Sequence, residues 1–335
     1  MALEHQPLLL SSSPHVFTNV NVRRIMLHVI VALLPTTVYG VYLFGPSAAR
    51  VVLTSVVSCV VFEAVFRALI KARQSFGDLS AVVTGLLLAL VLPPSTPSWM
   101  VAIGALAAIV VAKEFFGGLG HNPFNPALIG RAILLMSFPA ALTSWHRPPG
   151  LDAAGGAALT DALSTATPLA VIRQGGALTD VAAGLGVDSL QDLYGALFLG
   201  NRAGCIGETS ILLILAGGVF LIATKTIVFV TPAAMLAATA LFSALLGMDP
   251  LFGVLSGGVA FGAFFMATDY ATSPLTTAGK ALFGLGAAIV LVLIRKFGGY
   301  PEGVTYGILM MNAVVPYLNK LRERKYGYVK KGAKK

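Results

Sequence analysis

The sequence predicts an all-α polytopic membrane protein in which about ten transmembrane helices form two inverted repeats of five, with short, broken helices in each. Composition supports this first, because 56% of the 335 residues are hydrophobic and only 11% are charged. A soluble domain carries about 25% charged residues, with which it covers its surface. Apolar runs of helix length also follow one another along the chain, and one long polar stretch divides them into two sets.

The first repeat is predicted at residues 25–138, after an N-terminal segment at residues 1–24. Its third and fifth runs are short. The third ends at Pro93 and Pro94, which lack the backbone donors of a helix. The five apolar runs of this repeat cover residues 25–44, 50–70, 80–92, 97–116 and 126–138.

A polar insertion at residues 139–208 separates the two repeats, and a basic tail at residues 320–335 ends the chain. The second repeat is predicted at residues 209–319. Its eighth run overall is interrupted by glycines, as in the broken helices that line binding sites between transporter repeats. The five apolar runs of this repeat cover residues 209–228, 231–247, 251–267, 281–296 and 304–318.

The cationic residues predict the orientation of the chain, because cytoplasmic loops carry an excess of Lys and Arg. If every run crosses the bilayer, most cations fall on one side, which predicts that both termini are cytoplasmic and that residues 139–208 are periplasmic. Lys225, Arg295 and Lys296 fit this orientation less well. The net charge of +9 does not indicate nucleic-acid binding, since residues 320–335 alone hold eight Lys or Arg against one Glu. Such a tail suits anionic lipid headgroups.

The insertion contains a short polar motif, Asp161-Ala-Leu-Ser164-Thr-Ala166-Thr167-Pro. By spacing alone, these residues are typical of a helix N-cap or a turn. The motif also resembles the flavinylation motif of the RnfD/NqrB family, with every constrained position present. The resemblance implies that a flavin transferase joins the phosphate of FMN to the Thr167 hydroxyl through a phosphoester bond.

The resemblance extends over nearly the whole chain, and the compact length is closer to the RnfD branch of the family. The further matching segments are Ser13-Pro-His15, Asp78-Leu-Ser80, Lys113-Glu114-Phe-Phe-Gly117, Asn122-Pro-Phe-Asn125-Pro126, Ile206-Gly-Glu208, Met266-Ala-Thr268-Asp269 and Pro301-Glu302-Gly303. The resemblance implies a component of an inner-membrane Rnf complex that exchanges electrons between ferredoxin and NAD and moves Na⁺ or H⁺. The implied partners are the A, B, C, E and G subunits, above all the periplasmic, FMN-bearing G subunit.

A second candidate site contains Asn122 and Asn125, which follow a run of glycines between the fourth and fifth apolar runs. Asn side chains offer paired donors and acceptors that suit the edge of a heteroaromatic ring. The alternative is a re-entrant turn whose amides satisfy freed backbone groups. The resemblance implies a second, non-covalent riboflavin toward the cytoplasmic side, with Asn122, Asn125 and Asp269 as its candidate neighbours.

Ionisable residues within apolar runs are functional candidates, because intramembrane charge is costly. They are Glu63, Glu114, Arg131, Lys225 and Asp269. Glu63 is the candidate for an ion path. The alternative is that it pairs with Arg67 one helical turn later, while Arg67 and Lys113 extend to the interface from the helix ends.

A permease is the rival prediction, since inverted five-helix repeats are also a transporter architecture. The motif around Thr167 argues against it, because a simple permease does not require a flavin attachment site. The sequence contains no P-loop, dinucleotide fingerprint or Cys-x-x-Cys pair. Any nicotinamide or iron–sulfur chemistry is therefore assigned to other chains.

Overall fold

The computed structural model describes residues 21–72, 74–145, 168–173, 175–185, 187, 189–200, 204–299 and 302–321. Within these ranges every regular element is a helix, and the protein is an all-α polytopic membrane protein as predicted. Four helices are long and apolar enough to cross a bilayer. These are α1 (Val22–Phe44), α2 (Pro46–Leu69), α4 (Ser98–Leu106, continued by irregular turns to Phe116) and α14 (Thr277–Phe297).

The remaining predicted runs are shorter apolar helices or a broken segment. The shorter helices are α3 (Ser80–Leu90), α5 (Pro126–Ser137), α10 (Ile211–Ala223), α11 (Val230–Leu245) and α15 (Val304–Leu318). The predicted eighth run is α12 (Pro250–Leu255) followed by α13 (Val259–Phe261) and a π turn, Gly262–Met266. Gly257 and Gly258 have positive φ angles at the break, a backbone region that favours glycine.

Side chains at the helix starts explain where several helices begin. Asn125 accepts from the backbone N–H of Leu128, and Pro126 then occupies the first turn of α5. Asp249 and Pro250 begin α12 in the same way, with a bond from the N–H of Phe252. An Asn or Asp cap before Pro satisfies an orphan donor and sets the first helical φ.

The helices of the two sets pack in the same order. In the first set α2 packs against α3 and α4, and α4 packs against α5; in the second set α11 packs against α12 and α14, and α14 packs against α15. The two sets meet where α1 contacts α10 and where α5 contacts α15. This repeated packing agrees with two five-helix repeats, while their opposite orientation in the membrane stays a prediction.

The predicted insertion contains short helices that cover one end of the bundle. They are α6 (Pro139–Leu142), α7 (Pro168–Arg173), α8 (Leu178–Leu185) and α9 (Leu190–Leu199). Leu193 and Leu197 of α9 form a small apolar core with Phe252 of α12. The last part of the insertion is also buried, and the N–H of Ile206 bonds to the carbonyl of Leu92, just after α3.

Candidate functional site

A cavity of about 740 Å³, including the part that opens to the exterior, lies between the two helix sets. It is at the end of the bundle where α1 begins and α4 ends. Both sets contribute to the wall, and both π turns, Ala107–Val111 and Gly262–Met266, lie beside or just before wall residues. Such turns frequently mark functional positions in membrane and soluble helices.

The cavity brings together the three residues that the sequence predicts beside a second flavin, Asn122, Asn125 and Asp269. Asn122 donates from Nδ2 to the carbonyl of Phe124 at 3.0 Å, and Asn125 accepts at Oδ1 from Leu128. In the part of the chain that the structure describes, Asn122 Oδ1 and Asn125 Nδ2 have no protein partner, although both residues are buried. These atoms therefore offer one acceptor and one donor to a molecule in the cavity.

Asp269 is held in the loop between the π turn and α14. Its Oδ2 accepts from the Thr272 hydroxyl at 3.1 Å, and its Oδ1 accepts from the N–H of Ala271. Burial raises the pKa of Asp269, and the bonds from Thr272 and the backbone partly offset this effect. The neighbouring Tyr270 donates its hydroxyl to the carbonyl of Thr226, which ties this loop to the turn after α10.

The rest of the wall is largely apolar. Phe264 and Phe265 supply aromatic faces, and Leu87 and Val83 of α3 supply an aliphatic face. An apolar wall with a few convergent polar groups is typical of sites for flat heteroaromatic ligands. The residues present therefore fit the isoalloxazine ring of a flavin in chemistry, because they offer polar groups to its edge and apolar side chains to its faces.

A buried charged network adjoins this cavity. Lys113, just beyond the π turn of α4, is 1% exposed and donates to Glu63 Oε2 at 2.8 Å and to Ser80 Oγ at 2.6 Å. The expectation that Lys113 extends from its helix end to the interface is wrong. Its side chain instead reaches Glu63 of α2 and Ser80 at the start of α3, so the stem is enclosed and the ammonium is paired within the protein.

Glu63 has more partners than the single helical-turn pair that the sequence suggests. Arg67 lies 3.7 Å from Glu63 but binds Glu114 in a bidentate arrangement, through Nε at 3.1 Å and Nη2 at 3.2 Å. The Ser75 hydroxyl also donates to Glu63. The simple Glu63–Arg67 pair is therefore only one part of a network that joins α2, α3 and the end of α4.

A second buried ionic cluster lies toward the opposite end of the bundle, around Arg131 of α5. Its guanidinium is 3.5 Å from Glu208, bonds to Glu302 and lies 3.6 Å from Cys205 Sγ. The acidic and thiol ligand atoms lie within 4.8 Å of one another. Because the guanidinium already occupies the space between them, the arrangement is an ion-pair cluster that ties the two helix sets together.

Sequence reasoning missed Asn312 of α15, which is buried. In the orientation that satisfies its amide, Nδ2 donates to the carbonyl of Thr272 at 3.2 Å and Oδ1 accepts from the N–H of Asn125 at 3.1 Å. Asn312 thereby joins both loops that carry the candidate flavin neighbours. A polar residue inside an apolar helix was the available signal.

The predicted attachment motif, Asp161, Ser164, Ala166 and Thr167, lies outside the described residues. The next residue, Pro168, is buried and begins α7. The side chain of Leu169 reaches the neighbourhood of Gly257 at the break after α12. Lys225 lies in the turn after α10 with a φ of 56°.

Comparisons with known proteins show that this chain is related to one protein family along nearly its full length. The model of the NQR2, RnfD, RnfE family matches residues 9–327. The D subunit of the proton-translocating ferredoxin:NAD(+) oxidoreductase complex of Clostridium ljungdahlii is 44% identical over 323 residues, which cover 94% of each chain. The D subunit of the Na(+)-translocating ferredoxin:NAD(+) oxidoreductase complex of Acetobacterium woodii is 42% identical over 324 residues, 96% of each chain. The D subunit of the ion-translocating oxidoreductase complex of Stutzerimonas stutzeri is 40% identical over 332 residues, 92% of each chain.

Proposed function

Because this chain belongs to the NQR2, RnfD, RnfE family, we propose that it is the flavin-carrying D subunit of an Rnf-type complex. The complex transfers electrons between ferredoxin and NAD and couples this transfer to the movement of Na⁺ or H⁺. The observation that carries the proposal is identity of 40–44% along nearly the whole chain to D subunits of such complexes. The same full-length relationship disfavours a simple permease.

The relatives' names imply that the chain works as one component of a multi-subunit membrane complex. We further propose that its partners are the A, B, C, E and G subunits, with the FMN-bearing G subunit nearest the covered end of the bundle. In this proposal the complex lies in the inner membrane, both termini are cytoplasmic, and residues 139–208 are periplasmic. The cationic loops support this orientation.

Two flavins are proposed for this chain. One is FMN, which a flavin transferase joins to Thr167; the motif of Asp161, Ser164 and Ala166 supports this assignment. The other is riboflavin in the cavity, where Asn122, Asn125 and Asp269 would hold its ring edge. A flavin accepts two electrons together and releases them singly, so it can link one-electron centres. The protein supplies position and electrostatics.

Glu63 is proposed to take part in the ion path. Its carboxylate is buried beside the cavity and contacts Lys113, Arg67 and Ser75, so it can change partners without being left unpaired. A cation or proton could enter from the end of the bundle that holds Ser75. This role in the ion path requires Glu63 to exchange partners, whereas the structure shows one arrangement of its contacts with Lys113, Arg67 and Ser75.

The functional proposal is tested in membrane vesicles from a strain that lacks this chain. Reduced ferredoxin is supplied, and NAD⁺ reduction and ion uptake are followed together. We expect both to be absent and both to return when the wild-type chain is restored. Undiminished ferredoxin-dependent NAD⁺ reduction without the chain would contradict the proposal.

In the same vesicles, Glu63→Gln is expected to slow ion uptake more than NAD⁺ reduction.

Asn125→Asp is expected to lower the riboflavin content of the purified complex. The substitution keeps the oxygen that caps α5 but replaces the cavity-facing N–H donors with an acceptor. An unmatched buried polar group costs about 1–3 kcal/mol, which predicts about a 5- to 150-fold weaker affinity. Riboflavin released by denaturation is quantified per mole of complex. Normal riboflavin content in an intact Asn125→Asp complex would show that Asn125 does not bind it.

A further inference from the structure

Lys113 is almost completely buried, and it also lines the cavity. An ammonium carries three N–H donors. Glu63 and Ser80 accept two of them, and among the described residues no third acceptor is present. The remaining donor is therefore available to a molecule in the cavity.

The counter-ion of Lys113 is shared within a larger charged network. Glu63 also interacts with Arg67 and Ser75, and Arg67 in turn binds Glu114. In this set of four charged side chains two are cations and two are anions. Because Glu63 is shared, Lys113 contributes positive potential to the wall formed by the first helix set. Asp269 contributes a carboxylate to the wall formed by the second set.

We propose that Lys113 is a positioning residue whose ammonium favours the reduced, anionic form of a flavin in this cavity. The inference rests on the proposed second flavin. Reduction of neutral riboflavin by two electrons, with uptake of one proton, leaves one negative charge on the ring. The electrons come from reduced ferredoxin, the electron donor in the proposed function. A nearby ammonium in a poorly solvated site lowers the free energy of that charge.

The proposal predicts opposite effects for the two members of the buried pair. Lys113→Met removes the positive charge, so the reduced flavin should bind more weakly relative to the oxidised flavin. Glu63→Gln removes the neighbouring negative charge, so the reduced flavin should bind relatively more tightly. A purely structural salt bridge predicts either no change in this ratio or a change in the same direction for both variants.

The experiment measures binding of radiolabelled riboflavin to the whole complex after its non-covalent flavin has been removed. Equilibrium dialysis under anaerobic conditions gives dissociation constants for the oxidised and the dithionite-reduced forms. We expect Lys113→Met to shift their ratio against the reduced form about tenfold, equivalent to about 30 mV for a two-electron couple. Lys113→Arg, which keeps the charge, should shift the ratio much less.

The controls separate the possible failures. In Lys113→Met, Glu63 keeps Arg67 and Ser75 as partners. If Lys113→Met does not assemble, Glu63→Gln provides the second variant, and its ratio should shift toward the reduced form. Failure of the wild-type complex to bind riboflavin would overturn the proposed second flavin and this inference with it. Wild-type binding with an unchanged ratio in Lys113→Met would overturn the role of Lys113 alone.

Discussion

Thr167→Ala is expected to abolish covalent FMN on this chain while leaving it inserted in the membrane. The phosphoester needs a hydroxyl oxygen as its acceptor, and alanine has none. The effect should be complete, because the change removes the bond-forming atom itself. In-gel flavin fluorescence of the denatured chain, together with its intact mass, measures the result in a strain that contains the flavin transferase.

Two control variants sharpen the test of Thr167. Thr167→Ser keeps a hydroxyl and should retain some covalent FMN, whereas Thr165→Ala removes a neighbouring hydroxyl and should leave the modification in place. Riboflavin released from the assembled complex should be unaffected by Thr167→Ala, because the cavity is built by other residues. Covalent FMN on the Thr167→Ala chain would show that another residue is the attachment site.

The sequence predicts the membrane fold well, because burial in lipid requires long apolar runs and leaves a simple signal. It is less informative about helix breaks. The apolar run at residues 251–267 is predicted as one segment. In the structure, Gly257 and Gly258 have positive φ angles and separate α12 from α13. Arg295 then donates to the carbonyls of Gly253 and Ser256 at that break. This contact joins distant parts of the chain and has no local sequence pattern.

The candidate cavity could be predicted only in part. Asn122 and Asn125 lie near each other in the sequence, and the resemblance adds Asp269; the structure places all three around one cavity. Lys113 and Asn312 could not be assigned, since their partners lie on other helices. A lysine at a helix end usually extends to water, and only the packing of α2 and α3 around Lys113 shows that it does not.

The ionic cluster around Arg131 matters for stability because it joins α5 to the segments that precede α10 and α15. Glu302 contacts it from the second helix set, and Glu208 contacts it from the end of the insertion, where Cys205 lies against the same guanidinium. A buried guanidinium between two carboxylates is a weak source of net stability when intact. Removing it is costly, because the carboxylates then lose their main counter-charge in a site that water does not enter freely.

Arg131→Met is therefore expected to destabilise the protein by about 3–5 kcal/mol. The measurement is the temperature at which the detergent-solubilised chain loses its monodisperse elution peak, compared with wild type. Arg50→Met, at an exposed position of α2, is the matched control and should change stability by no more than about 0.5 kcal/mol. Unchanged thermal stability of Arg131→Met would show that the cluster does not hold the two helix sets together.

A double substitution distinguishes loss of charge balance from loss of packing. Met fills much of the volume of the Arg stem, so Arg131→Met mainly removes charge and hydrogen bonds. Adding Glu302→Gln removes the carboxylate that the first change leaves behind, and we expect it to recover about 0.5–3 kcal/mol. If the double variant is instead as unstable as the sum of the two single variants, the two side chains act independently. The inter-repeat contact would then depend on packing between α5 and α15 and not on this ion pair.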